Sequence, residues 1–226
     1  MKAWTLFLPQ VLPEVKGCPD VLAVNAIRNA AIEFCEKSSI WRYEFTSKFS
    51  LVADKATYDL LDLADMPAGA EVIAVPWLGF KAPNTSKFYP VRGPRSIEWL
   101  DRNVPTWRED RASGVNHVEH FTLDDSVIRV IPIPAEDQAD ALWPAAALKP
   151  DLLSIEGPDI LYTDFLEFIA SGAKARLMSM RDEPWSNETL AGHHFREFRR
   201  GINRATAKRI KGGGAESATA YPRSFV

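Results

Sequence analysis

The amino-acid sequence predicts an α+β protein. The expected architecture is a helical bundle, one N-terminal helix plus two long C-terminal helices, with an inserted antiparallel β-rich unit and an extended C-terminal tail. Three observations carry this. Apolar residues recur at three- and four-residue steps from Asp20 to Ser38 and again from Asp159 to Lys211, the period of one buried helical face. Between those stretches apolar and polar residues alternate in short runs, as strands with one buried face require. Helical and extended runs are also segregated along the chain, which favours α+β over α/β.

Taken in order, residues 1–39 read as an N-terminal arm and the first bundle helix. Pro9, Pro13 and Gly17 keep the arm irregular. Asp20 follows Pro19 and opens a helix whose buried face is Val21, Val24, Ile27, Ala31, Phe34 and Cys35. Ser38-Ser39 stops it. Residues 40–134 read as the β-rich insertion. Trp41–Thr46, Phe49–Val52 and Thr57–Leu60 alternate as strands, and Asp54-Lys55 turns between the last two. Glu71–Phe80 is a further strand, placed by Pro76 at an edge or a bulge. Ser96 caps a short helix to Arg102. His117–Leu123 and Val127–Ile133 make a hairpin turning at Asp124-Asp125-Ser126.

Residues 135–158, rich in Ala and Pro, read as a connector. Residues 159–211 read as the long helix pair. Pro158 and Asp159 suit a helix start, and Asp182-Glu183-Pro184-Trp185 breaks the first helix because proline removes a donor. Ser186 or Asn187 caps the second. Gly172 and Ala173 mark close approach of another backbone, since a mid-helix glycine costs about 1 kcal/mol relative to alanine. The facing seam is Ala191, Phe195, Phe198, Ile202, Ala205 and Arg209. Gly212-Gly213-Gly214 ends the helix, and residues 212–226 form a glycine-hinged tail with the composition of a docking peptide.

Composition narrows the function classes. The chain has 226 residues, 46% of them apolar, and a net charge of −3, so a real core is expected and any polyanion partner needs a local basic patch. Cys18 and Cys35 stand alone with no CxxC pair, which points to free thiols and away from structural zinc. The N-terminal apolar run is too short for a signal peptide, and no run approaches the roughly 20 residues of a membrane span. A soluble protein made in the cytosol is expected.

No constellation reads as an active site. His117-x-x-His120 would point to opposite faces of a strand. His193-His194 diverge on a helix and lack HExxH spacing, and Asp124-Asp125 suit a turn. We expect no enzyme, no cofactor and no metal. The one charge asymmetry lies on the last helix. Arg196, Arg199, Arg200, Arg204, Lys208, Arg209 and Lys211 face only Glu188 and Glu197, a surplus of five positive charges. A solvated face with cations at a helix C-terminus explains it; so does contact with an acidic partner surface. Direct DNA contact is weaker, because no aromatic residues interleave with the basic ones.

Particular segments resemble a known family. These are Leu12-Pro13-Glu14-Val15-x-Gly17-Cys18-Pro19 with the helix after it, Ile131-Pro132-Ile133-Pro134 followed by Leu148-Lys149-Pro150, and Ile169-Ala170-Ser171-Gly172-Ala173. Glu183-Pro184-Trp185-Ser186 and Phe198-x-x-Gly201-Ile202-x-x-Ala205 complete the set. In order and spacing they resemble the head-to-tail connector, or adaptor, proteins of tailed bacteriophages, especially short-tailed ones; the hairpin turn departs in having Asp-Asp-Ser where a glycine is expected. The resemblance implies a virion structural protein made in the host cytoplasm and placed in the neck. It implies a homo-oligomeric ring, a dodecamer, beneath the capsid portal protein, with the tail tube or nozzle protein attached below and genomic DNA passing through the ring. It also implies that the tail docks on the portal, where Tyr221, Pro222, Arg223, Phe225 and Val226 are the candidate anchors. The basic face Arg196, Arg199, Arg200, Arg204, Lys208 and Lys211 would meet portal or DNA. The alternative reading is a DNA-binding module acting through that helix. A third is a hydrolase using His117, His120 or the Asp124-Asp125 pair.

Overall fold

The computed structural model describes residues 1–83, 85–113 and 116–211. Strand β1 (Lys2–Ala3) leads into a short 3-10 helix, Trp4–Gln10, whose Trp4 and Phe7 are buried. Helix α1 (Asp20–Ser38) ends on Ser39 in the left-handed region, where its N–H returns to the Cys35 carbonyl, closing the last turn as a C-cap does. The two thiols are free, and burial pushes both their pKa values up.

The β-rich part follows as β2 (Arg42–Glu44), β3 (Phe49–Leu51), β4 (Thr57–Asp59), β5 (Ala70–Lys81) and β6 (Phe88–Pro90). After helix α2 (Ile97–Asn103), capped by the Ser96 hydroxyl on the Trp99 N–H, come β7 (His120–Asp124) and β8 (Val127–Ile131). The chain continues as β9 (Gln138–Pro150), β10 (Glu156–Gly157), α3 (Asp159–Met178) and α4 (Glu188–Ile210). The principal sheet runs β2-β9-β5-β6, with β3 also on β9, and all its pairs are antiparallel. A second sheet runs β4-β8-β7, and β1 pairs with β10.

Residues 135–158, expected as a connector, instead contain β9, the strand on which β2, β3 and β5 all pair. Pro144 is tolerated there opposite Leu78, while the register slips elsewhere, between Val72 and Ala74 and between Ala74 and Trp77. Pro76 falls in that second slip. It forms a bulge and not an edge, because proline cannot donate to the ladder.

The expected bundle with a β insertion is overturned. The structure is α+β, but its helices do not form a bundle of their own. One continuous core runs from Trp4 to Ala205 and takes in sheet residues such as Val75, Leu78, Leu142 and Leu148 together with Phe34, Phe165 and Phe198. Helix α1 packs on β9 as well as on α3. Seven consecutive α3 residues, Ile169–Ala175, are buried. This half of α3 is covered on all sides, as at the centre of a core, while Thr163, Asp164 and Glu167 of its first half are exposed. The C-terminal helix with one inner face and one exposed face is α4. Trp4 locks the chain start to the approach of α3: its indole N–H donates to the Ser154 carbonyl at 2.9 Å, and its ring fills the space where a Cβ on Gly157 would lie.

Candidate functional site

Helix α4 begins where Asn187 accepts a hydrogen bond from the Leu190 N–H at 3.0 Å, an N-cap that satisfies a free donor. Its inner face is Ala191, His194, Phe198, Gly201, Ile202 and Ala205. The Phe198 ring lies over Gly172, where an added Cβ would stand 2.5 Å from it, and 6.0 Å from the Phe34 ring centroid. Ala173 and Ile202 are buried with it. Phe195 is a correction to the expected seam: it is 46% exposed, with the Arg199 guanidinium 5.9 Å from its ring. The buried step passes through His194 instead.

That histidine belongs to a cluster that the sequence reading missed. Glu14, in the loop before α1, receives the Lys174 ammonium at 2.6 Å on one oxygen and His194 Nε2 at 2.8 Å on the other. Lys174 and His194 are buried, so the pair staples the N-terminal arm to both α3 and α4. The only sequence signal was a lysine and a histidine lying on apolar faces. The Lys174 hydrogen bond holds Glu14 below the usual carboxylate range, and burial holds His194 below the usual histidine range.

Both shifts have the same sign for stability. A depressed folded pKa means that the unfolded chain binds more protons, so the contribution is complete above the unfolded pKa and is lost as pH falls through the folded value. For His194 the loss begins below about pH 6.5. His194→Gln keeps a donor for Glu14 without a titrating ring. We expect the urea midpoint of the parent to fall more between pH 7 and pH 5 than that of the variant. Equal slopes would show that His194 titrates alike in both states.

On the outer face Arg196, Arg200, Arg204 and Lys208 follow each other at four-residue steps and are exposed, as are Arg199 and Lys211. Arg200 meets Glu197 of its own helix at 3.1 Å. Lys208 pairs with Asp164 of α3, whose carboxyl it holds low, so this end of the row is partly spent on packing. Arg196 and Arg204 reach no carboxylate within salt-bridge distance among the described residues. Tyr221, Pro222, Arg223, Phe225 and Val226, the expected docking anchors, lie outside the described residues.

The hydrolase candidates are not brought together. His120 is buried with its ring edge-on to Trp99 at 5.2 Å, and burial lowers its pKa. Asp124 and Asp125 are exposed at the far end of the same strand, Asp125 holding the positive φ of the turn. Among the described residues no group of three or more His, Cys, Asp or Glu could hold a metal ion.

An exposed basic row over a closed core is what a contact protein presents, and comparison with known families decides which kind. The SU10 adaptor protein family model matches residues 9–221. The chain belongs to the SU10 adaptor protein family. No curated protein matches it. As a phage head-to-tail adaptor it is a structural component of the virion and contacts other head or tail proteins. The family is one of structural adaptors. No helix among the described residues is long and apolar enough to cross a membrane.

Proposed function

We propose that this adaptor forms a closed, dodecameric ring in the virion neck, seated beneath the capsid portal, with the tail tube or nozzle protein below and genomic DNA passing through the ring. The family match over residues 9–221 carries the reading. In this account the outer face of α4 is an arm for other chains. Its inner face is committed to the core, while Arg196, Arg199, Arg200 and Arg204 remain exposed. Residues 212–226 dock on the portal through Tyr221, Pro222, Arg223, Phe225 and Val226. A short-tailed phage is the setting that suits it.

A second reading, DNA contact through the same helix, is favoured by Arg196 and Arg204, which reach no carboxylate within salt-bridge distance among the described residues. The double variant Arg200→Glu, Arg204→Glu separates the two. Both side chains are exposed; reversal breaks the Arg200–Glu197 pair and sets like charge beside Glu197 and Asp164, so a loss of about 1 kcal/mol is expected without unfolding. If the face meets an acidic protein surface, neck assembly falls while binding to DNA fragments is unchanged. If it meets DNA, binding weakens and its salt dependence flattens by about one per lost phosphate contact. Neck assembly and DNA binding both at parental level would remove the basic face from the account.

A further inference from the structure

Between α1, α3 and α4 the surface opens into a groove of about 590 Å³. Its floor is Gly172 and Ala175 from α3 with Ala191 and Gly192 from α4, and Phe195 walls one side. Small residues face one another here, so the helices meet without filling the surface above them. A Cβ built on Gly192 meets nothing within 4 Å. On the α1 side the rim is closed by the Arg176–Glu33 ion pair. Past Phe195 the wall runs into Arg196 and Arg199, the latter stacked near the Phe195 ring.

Elsewhere the molecule carries an apolar knob. In the loop between β9 and β10, Leu152 is 65%, Leu153 86% and Ile155 83% exposed. This exposure is built and not frayed. The Asp151 N–H donates to the Gly69 carbonyl at 2.9 Å, the Leu153 N–H to Asp151 Oδ1 at 2.7 Å, and the Ser154 hydroxyl to the Asp151 carbonyl at 2.8 Å. The Ser154 carbonyl accepts from both the Trp4 indole and Arg28. Anchored backbone on both sides of exposed leucines is the form of an interaction site. The segment from Asp151 to Ile160 holds Asp151, Glu156 and Asp159 and no lysine or arginine, a charge opposite to that of Arg196 and Arg199 beyond Phe195, while Glu188 lines the groove at the start of α4.

Knob and groove lie apart on one chain. The knob is held against Trp4 and Arg28, and no residue of it lines the groove. We propose that the groove receives the Leu152–Ile155 loop of a second copy of this chain. Each copy then gives one loop and accepts another, a head-to-tail contact of the kind that closes into rings. This rests on the ring assembly proposed above and names the contact that builds it.

Two variants test it. Leu153→Asp spoils the knob at an exposed position, and Gly192→Phe fills the groove at a helical position with open space above it, so thermal melting of both stays at the parental value. In sedimentation at rising concentration up to millimolar, the parent self-associates and each variant alone is at least tenfold weaker. An equimolar mixture of the two variants forms one-to-one dimers and nothing longer, because each pair has one intact contact and two spoiled ends. Parental association by both variants overturns the contact, as does a parent that stays monomeric at millimolar concentration. Copy number in isolated neck particles is read separately. Rings built from either variant leave the ring standing without this contact, and a single copy per neck removes the ring itself.

Discussion

Replacing Phe198 by alanine is expected to lower the free energy of unfolding by about 3–5 kcal/mol, the usual loss for deleting a fully buried phenylalanine. The ring sits where three helices converge. It stacks near Phe34 of α1, covers Gly172 of α3 and has the Arg176 guanidinium 5.5 Å from its centroid. Phe34 in turn lies 5.1 Å from Phe165. A cavity here cannot collapse easily, because its walls belong to separate helices tied into one core. Urea denaturation checks it: the midpoint should fall with the slope unchanged, in a single transition. Two separated transitions would mean that the helices form a unit apart from the sheet, contrary to a core that joins Leu142 and Leu148 to Phe198. A loss below about 1 kcal/mol would contradict the burial of α4 itself.

Deleting residues 212–226 is expected to leave a chain that melts like the parent yet no longer joins tails to DNA-filled heads. The last residue of the described core is Ala205, and in the proposed function residues 212–226 serve docking. The proposal places binding in Tyr221, Phe225 and Val226, and aromatic anchors at protein contacts commonly contribute about 2 kcal/mol or more each. Losing them together should weaken portal attachment by on the order of a hundredfold or more. In vitro complementation of tailless heads reads this directly, with melting as the control for folding. Normal attachment by the truncated chain would move portal docking to another surface, and α4 would be the first to examine.

The elements legible in the sequence were those whose signal is local. Helix α4 shows its period, its Asn187 cap and its basic row within a single stretch, and Ser96 announces α2 in the same way. Strand β9 was hidden because Ala145, Ala146 and Ala147 have low strand preference and Pro144 and Pro150 read as breakers. What makes it a strand is burial between β2 and β5, drawn from distant parts of the chain. Being apolar, Phe195 fits the seam by sequence, yet the buried position belongs to His194. That choice depends on Glu14, 180 residues away, and no periodicity records a partner at that distance. The basic face was legible as charge. Lys208 being partly withdrawn by Asp164 was not, since that pairing needs α3 and α4 already side by side.

The central claim is that this adaptor works as a ring around the DNA path. Electron cryomicroscopy of isolated neck particles, with copies counted by rotational averaging, tests it most directly. The account predicts copies of this chain repeated around a central channel between portal and tail, each with the outer face of α4 turned toward a neighbouring chain or the channel. One copy per neck, or copies placed away from the portal–tail axis, would contradict it.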